Sequence, residues 1–188
     1  MIRSFNFIRP SVKYAVETGG SGGTPVYAYP ISDISVGDGY FNWMKYSDDS
    51  TSDLYSIIGG TSPCEYDFLY QYNRFWGDVP LICGLTSLTD PNKNTGHKLT
   101  WRGFTYGGMS TPSNSFLISL MQGTTAIFSM EDPTRSTDDD GFVTSSYTLS
   151  ANEADAITDY TALRVKVTAQ SAYAGHCRLS WVRFEVPE

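Results

Sequence analysis

The chain has 188 residues, of which 14% are aromatic, and carries a formal net charge of -7. This length suffices for one well-buried core, so one domain with an N-terminal arm is the expected organisation. The acidic balance, with basic residues scattered along the chain, disfavours a nucleic-acid surface, which needs clustered Lys and Arg. Because no stretch has the apolar length of a membrane span or the pattern of a signal peptide, we predict no membrane partner and no export through Sec.

The first 30 residues predict an N-terminal arm or hairpin, and residues 31–188 the main domain. A strand-like run at 11–17 is followed by the Gly-rich 18–25 and a second β-prone run at 26–29. Residues 19–23 match the letters of the hydrolase motif G-x-S-x-G. A Pro and a β-prone run follow Ser21 instead of the helix that would expose it, so we interpret the segment as a flexible loop.

Short runs rich in β-branched and aromatic residues, separated by turn residues, continue through the rest of the chain. They predict strands at 40–46, 64–72, 80–85, 97–106, 115–121, 125–130, 142–149, 163–169 and 177–186. Many short strands with no long amphipathic helix predict an all-β fold, an antiparallel, jelly-roll-like β-sandwich.

One short helix interrupts this pattern near residues 151–158. Ser150 and Glu153 have the spacing of a capping box, in which each side chain satisfies a backbone amide near the other. Turn residues at 158–159 end the helix after about two turns. Leu163, Val165 and Val167 then alternate with polar residues, which predicts a strand with one buried face.

The last predicted strand changes phase. Cys177, Leu179 and Trp181 alternate on one face, whereas apolar residues continue on the other from Val182 onward. This shift indicates either a β-bulge, which we favour, or a second face covered by the arm or a partner subunit.

Several segments together resemble a β-sandwich domain that recurs in structural proteins of tailed-bacteriophage virions. They are 33–40 (DISVGDGY), 94–102 (NTGHKLTWR), 120–125 (LMQGTT), 147–151 (YTLSA), 154–160 (ADAITDY) and 163–165 (LRV). The resemblance covers roughly residue 31 to the C-terminus. The chain departs from the family pattern at Tyr40, where Trp is usual, and at 59–68, which replace an acidic step. The family brings no catalytic residues to transfer.

An aromatic strip is the strongest candidate for a contact surface. Four aromatic residues occupy alternate positions from 66 to 72, so one strand face carries them all, and two more follow. The set is Tyr66, Phe68, Tyr70, Tyr72, Phe75 and Trp76. Such a strip packs into a core, stacks against sugar rings, or contacts another protein.

Other chemical motifs are weak. The acidic run around Asp138 and Asp140 fails the EF-hand pattern because Tyr147 occupies the position of the bidentate Glu, so we assign no metal and keep these two residues only as weak calcium candidates beside Glu131 and Asp132. The three cysteines are Cys64, Cys83 and Cys177, and their spacing predicts free thiols. His97 and His176 lie in no catalytic pattern and are expected at strand ends or on the surface.

The resemblance implies a virion protein made in the cytoplasm of a host bacterium, and the residues suggest assembly rather than catalysis. We therefore expect no enzyme and no cofactor. The prediction is a capsid decoration or cement protein that binds capsid or other virion proteins, as a homo-oligomer such as a trimer. The alternatives are a tail or fibre component that binds a receptor, and a carbohydrate-binding module.

Overall fold

The structure is a computed structural model that describes residues 24–37, 43–63, 68–73, 79–106, 115–132, 141–170 and 175–188. The strands are β1 Val26–Ala28, β2 Pro30–Ser35, β3 Met44–Lys45, β4 Leu69–Asn73, β5 Val79–Leu85, β6 Lys98–Tyr106, β7 Ser115–Gln122, β8 Thr125–Asp132, β9 Val143–Thr148, β10 Leu163–Gln170 and β11 Gly175–Val186. The helices are α1 Tyr55–Ile58 and α2 Ala151–Asp155. No helix of the described part could cross a membrane.

Two antiparallel sheets form the predicted sandwich. Sheet one has the strand order β3-β4-β11-β6-β9, with β1 also paired to β11, and sheet two has the order β2-β5-β10-β7-β8. The eight strands from β4 to β11 therefore divide into β4-β11-β6-β9 and β5-β10-β7-β8, the strand order of a jelly roll. The all-β, jelly-roll-like prediction is confirmed.

The core lies between the inner faces of the two sheets. In β10, Leu163, Val165 and Val167 are buried, as their alternation predicts, and β10 lies between β5 and β7. Burying each such side chain stabilises the fold by about 1.5–3 kcal/mol. Trp101 of β6 is fully buried in this layer, and its indole Nε1 donates a 2.5 Å hydrogen bond to Asp132 at the end of β8.

Gly103 of β6 lies directly against the Phe116 ring of β7. A Cβ atom at this position would lie 2.6 Å from the Phe116 ring of β7, too close for any other residue without movement. Phe116 in turn stacks on Trp43, with ring centroids 6.2 Å apart. The glycine therefore allows a large ring to fill the space between the sheets.

Part of the predicted N-terminal arm belongs to the sheets. β1 pairs with the end of β11, Val26 opposite Val186, and β2 pairs with β5. Residues 1–23 lie outside the described residues. The carboxylate of Asp33 in β2 accepts hydrogen bonds from the backbone amides of Leu54 and Tyr55, at 2.6 and 2.8 Å, and so fixes the start of α1.

The predicted capping box is confirmed, although α2 ends at Asp155, before the predicted end at 158. Ser150 Oγ accepts a hydrogen bond from the Glu153 amide, and the Glu153 carboxylate accepts one of 2.7 Å from the Ser150 amide. Tyr147 also donates its hydroxyl to Glu153, at 3.0 Å. These hydrogen bonds join the end of β9 to α2.

Cys83 and Cys177 are free and buried, and Cys64 lies outside the described residues. Burial raises the pKa of the Cys177 thiol to about 12. Burial, with Asp33 nearby, also raises the pKa of Cys83. Neither thiol is therefore a nucleophile near neutral pH.

Gln71 of β4 yields a test of the core. This side chain is fully buried, and neither its amide nitrogen nor its amide oxygen has a hydrogen-bond partner among the described residues. Because an unpaired buried polar group costs about 1–3 kcal/mol, Gln71→Leu should increase the free energy of unfolding by a similar amount. Urea unfolding of both proteins measures the change; a less stable variant would show that the amide has a partner, such as a bound water.

Candidate functional site

The outer face of sheet one, the face directed away from sheet two, carries the described part of the predicted aromatic strip. In β4, Leu69 pairs with Leu179, Gln71 pairs with Cys177, and all four are fully buried on the inner face. Phe68 and Tyr70 alternate with them and therefore lie on the outer face. Packing in the main core, one of the three uses considered for these residues, does not apply to Phe68 and Tyr70.

A cluster of aromatic rings covers this outer face at one end, and we call it the aromatic cluster. Its members are Tyr46, Phe68, Tyr70, Phe104 and Phe142. Tyr46 stacks on Phe68 with ring centroids 4.4 Å apart, and Phe142 lies 5.4 Å from Phe68. Phe68 is only 5% exposed, although it does not belong to the core between the sheets.

Arg178 contacts two rings within the aromatic cluster, and Asp49 accepts a hydrogen bond at its edge. The Arg178 guanidinium lies 5.0 Å from the centre of the Phe68 ring and 5.4 Å from that of Phe104, within cation–π range. At the edge, the Tyr70 hydroxyl donates a 2.6 Å hydrogen bond to Asp49, and this bond raises the pKa of Tyr70 to about 12. Tyr46 remains 59% exposed, so the cluster offers an accessible ring.

The remaining candidate residues are only partly visible. Tyr66, Phe75 and Trp76 lie outside the described residues, as do Asp138 and Asp140. The backbone of Tyr72 pairs with His176 in sheet one. These assignments therefore stay predictions.

The two acidic residues considered beside the weak calcium candidates are not in a loop. Glu131 and Asp132 belong to β8, where Glu131 accepts a 2.8 Å hydrogen bond from Ser115 and Asp132 accepts the Trp101 indole bond. The described residues hold no group of three or more His, Cys, Asp or Glu side chains that could bind a metal.

The phase change in the last strand is a β-bulge, as favoured by the sequence. The pairing of β11 with β6 shifts between Leu179 and Trp181. Beyond the bulge, Val182 and Phe184 continue the core face that Leu179 began. The alternation had grouped Trp181 with Leu179, and this assignment was wrong because the extra residue moves Trp181 to the outer face.

Trp181 lies beside a groove in the outer face, which we call the Trp181 groove. Its volume is about 690 Å³. The 61–63 segment forms one side, and strands β6, β9 and β11 form the floor. The lining residues are Thr61, Ser62, Pro63, Thr100, Arg102, Thr144, Trp181 and Arg183. Trp181 is almost completely buried there, and its indole Nε1 donates a 2.7 Å hydrogen bond to the Gly60 carbonyl oxygen.

Two arginines give the groove its charge. The Arg183 guanidinium lies between two rings, 4.4 Å from the centre of Tyr27 and 4.9 Å from that of Trp181. Arg102 donates a 3.3 Å hydrogen bond to the Thr144 hydroxyl and lies 5.9 Å from the Phe142 ring centre. The groove therefore adjoins the aromatic cluster, and sequence reasoning missed it because its residues come from four separate segments.

A second, polar cavity of about 510 Å³ lies between the 90–95 segment and α2. Asp90, Asn94, Asp155 and Tyr160 are among its lining residues. Tyr160 forms a 2.7 Å hydrogen bond with Nε2 of His97, and burial raises the Tyr160 pKa to about 12. His97 lies directly before β6 and is fully buried, so the expected strand-end position is confirmed but a surface position is not.

Comparisons with known proteins add no family. No family model matches the chain, and no curated protein matches it. Among solved structures, the K1 cleaved adhesin domain of Lys-gingipain from Porphyromonas gingivalis W83 is 15% identical, with 88% of this chain and 99% of that chain covered and a TM-score of 0.45. The Stig cyclase Fisc from Fischerella sp. TAU, in complex with (3Z)-3-(1-methyl-2-pyrrolidinylidene)-3H-indole, is also 15% identical, with coverages of 87% and 99% and a TM-score of 0.45. Likenesses at this level do not bear on function.

The buried His97 predicts a pH dependence of stability. Burial lowers the pKa of His97 below its ordinary value of 6.5, although the nearby Asp90 acts in the opposite direction. The unfolded chain therefore takes up this proton more readily, so stability falls as the pH decreases through about 6.5 toward the folded-state pKa.

Thermal unfolding of the wild type and of His97→Gln between pH 8 and pH 5 measures this effect. The wild type should lose more of its melting temperature than the variant over this interval, because the variant has no proton to take up at position 97. Parallel pH profiles would contradict a depressed His97 pKa.

Proposed function

We propose that this protein is a structural protein of a tailed-bacteriophage virion that acts by binding, as a capsid decoration or cement protein. Sequence resemblance over residues 31–188 supports the virion assignment. The aromatic cluster is the observation that supports a binding role most directly, because it gathers large rings on a sheet face that the domain's own core does not use.

The composition of the cluster fits contact with a protein. Aromatic residues and Arg are the residue types enriched in protein–protein interfaces, where a few of them contribute most of the binding energy. Tyr46 is exposed and stacks on Phe68, which is buried. Arg178 in turn lies over the rings of Phe68 and the buried Phe104. A ring fixed before binding loses little conformational entropy when a partner covers it.

In this mechanism, the aromatic cluster contacts the capsid or a neighbouring copy of the chain, and the N-terminal residues reach across to the lattice. A homo-oligomer, such as a trimer, would present several clusters at once and so raise the avidity for a repeating lattice.

The second candidate is a tail or fibre component that recognises a receptor, or a carbohydrate-binding module. The Trp181 groove favours that reading, because it is a concave site with charged and hydroxyl groups.

The central prediction concerns Tyr46. Tyr46→Ala should weaken binding to empty capsids of the phage that encodes the protein by about five- to thirtyfold, as expected when an interface aromatic is truncated. Co-sedimentation with a titrated amount of protein measures the affinity. Ile31→Ala is the matched control, because Ile31 is 52% exposed and lies on β2 of sheet two. Unchanged binding by Tyr46→Ala, or an equal loss in both variants, would overturn this role.

The arm is tested by a truncation that keeps every described strand. Removing residues 1–23 leaves β1 in place, whereas a deletion through Pro30 would also remove the pairing of β1 with β11. We expect the truncated protein to keep its melting temperature and to bind capsids more weakly. Unchanged capsid binding would remove the arm from the mechanism.

A further inference from the structure

We infer that the Trp181 groove is a binding site for a sugar that carries a carboxylate group. This inference goes beyond the virion role and does not depend on it, since a capsid protein and a receptor-binding protein could both use such a site. It follows from the charge of the groove, from its hydroxyl groups and from its place on the sheet.

The charge of the groove is opposite to that of the chain. The protein has a formal net charge of -7, yet none of the described residues that line the groove is acidic, and two of them are arginines. Glu185 does not line the groove, and its carboxylate forms a salt bridge with Arg183 at 3.9 Å, longer than a normal hydrogen bond. A partly desolvated pair of guanidinium groups favours an anionic ligand, and the planar donors of Arg match a carboxylate.

Both arginines are positioned by neighbouring side chains. Arg183 is fixed between the rings of Tyr27 and Trp181, and its side chain is 27% exposed. Its Nε atom is buried without a hydrogen-bond partner among the described residues. Arg102 is positioned by the Thr144 hydroxyl and the Phe142 ring. Because both guanidinium groups are already ordered before binding, a ligand loses little affinity to the conformational entropy of ordering them.

Hydroxyl groups also line the groove. Thr61, Ser62, Thr100 and Thr144 account for half of the lining residues. Thr100 is 6% exposed, and its hydroxyl has no hydrogen-bond partner in the described part of the chain. A buried hydroxyl without a partner is uncommon. Movement of the side chains around Thr100 on binding would open this hydroxyl to a polyhydroxylated ligand in the groove.

The place of the groove on the sheet argues against an extended peptide. Peptides that bind sheets do so chiefly through main-chain hydrogen bonds at a free edge. The floor here is the face of β6 and β11, and each of these strands is paired on both sides, β6 with β9 and β11, and β11 with β4, β1 and β6. A compact ligand that uses side-chain donors fits this position better.

The test compares two disaccharides that differ in one group. Isothermal titration calorimetry with cellobiouronic acid and with cellobiose isolates the contribution of the carboxylate, and methyl glycosides of galacturonic acid and sialic acid extend the acidic set. At least one acidic sugar should bind at least tenfold more tightly than cellobiose. The absence of binding by all acidic sugars, or equal binding of cellobiose, would overturn the inference. Tighter binding of an acetylated Asp-Gly-Glu peptide than of any sugar would overturn it in favour of an acidic protein partner.

Three variants assign the binding to this groove. Arg183→Gln should weaken binding of the acidic sugar at least tenfold, whereas Arg164→Gln, a control on β10 in sheet two, should leave it unchanged. Thr100→Val keeps the shape of the side chain, so it should keep or raise the melting temperature while weakening binding roughly three- to tenfold. Full affinity in both Arg183→Gln and Thr100→Val, or an equal loss in Arg164→Gln, would place the sugar elsewhere.

Discussion

The rest of the structure depends on β11, whose side chains are buried on both faces of the sheet. This twelve-residue strand pairs with β6 along one side and with β4 and β1 along the other. The bulge between Leu179 and Trp181 lets Leu179, Val182 and Phe184 all face the core while Trp181 faces outward. Without the extra residue, one half of the strand would present its apolar side chains to the wrong side of the sheet.

The bulge also creates the surface on which the proposed functions rest. On the outer face, the Trp181 indole donates a hydrogen bond to the Gly60 carbonyl oxygen. The Arg183 guanidinium makes cation–π contacts with Trp181 and with Tyr27 of β1. Toward the other end of the strand, Arg178 lies between the rings of the aromatic cluster. Alternating aromatic rings and guanidinium groups therefore form a second layer over sheet one. In a chain of net negative charge, this layer concentrates basic groups on one face.

The sequence predicts the sandwich well where local patterns agree with tertiary packing. The alternation of Leu163, Val165 and Val167 and the Ser150–Glu153 capping box have the expected outcomes, because both depend on residues close together in the chain. Two elements could not be predicted in this way. The residues of β2 include Pro, Ser and Asp, typical of turns, and they form a strand because β5 offers an edge. The four-residue α1 starts where Asp33, twenty-one residues earlier, accepts its first amides.

The candidate site was predictable only in part, for a related reason. The aromatic strip is a local pattern, and Phe68 and Tyr70 do share a face. The strip gives no sign, however, that Tyr46, Phe104 and Phe142 complete the cluster, since these residues come from three other segments. The phase change at Trp181 predicts the bulge but not the side to which the indole turns. That depends on the register with β6, which only the assembled sheet supplies.

The most direct test of the central claim, that the outer face of sheet one is the binding surface, is hydroxyl radical footprinting of the protein alone and bound to empty capsids. Mass spectrometry would then compare oxidation of Tyr46, Tyr70 and Phe142 on this face with that of Ile31 and Ile34, which are exposed on β2 of sheet two. The account predicts that capsid binding protects the three aromatic side chains and leaves the two isoleucines as reactive as before. Protection of the isoleucines with unchanged oxidation of the aromatic residues would contradict it.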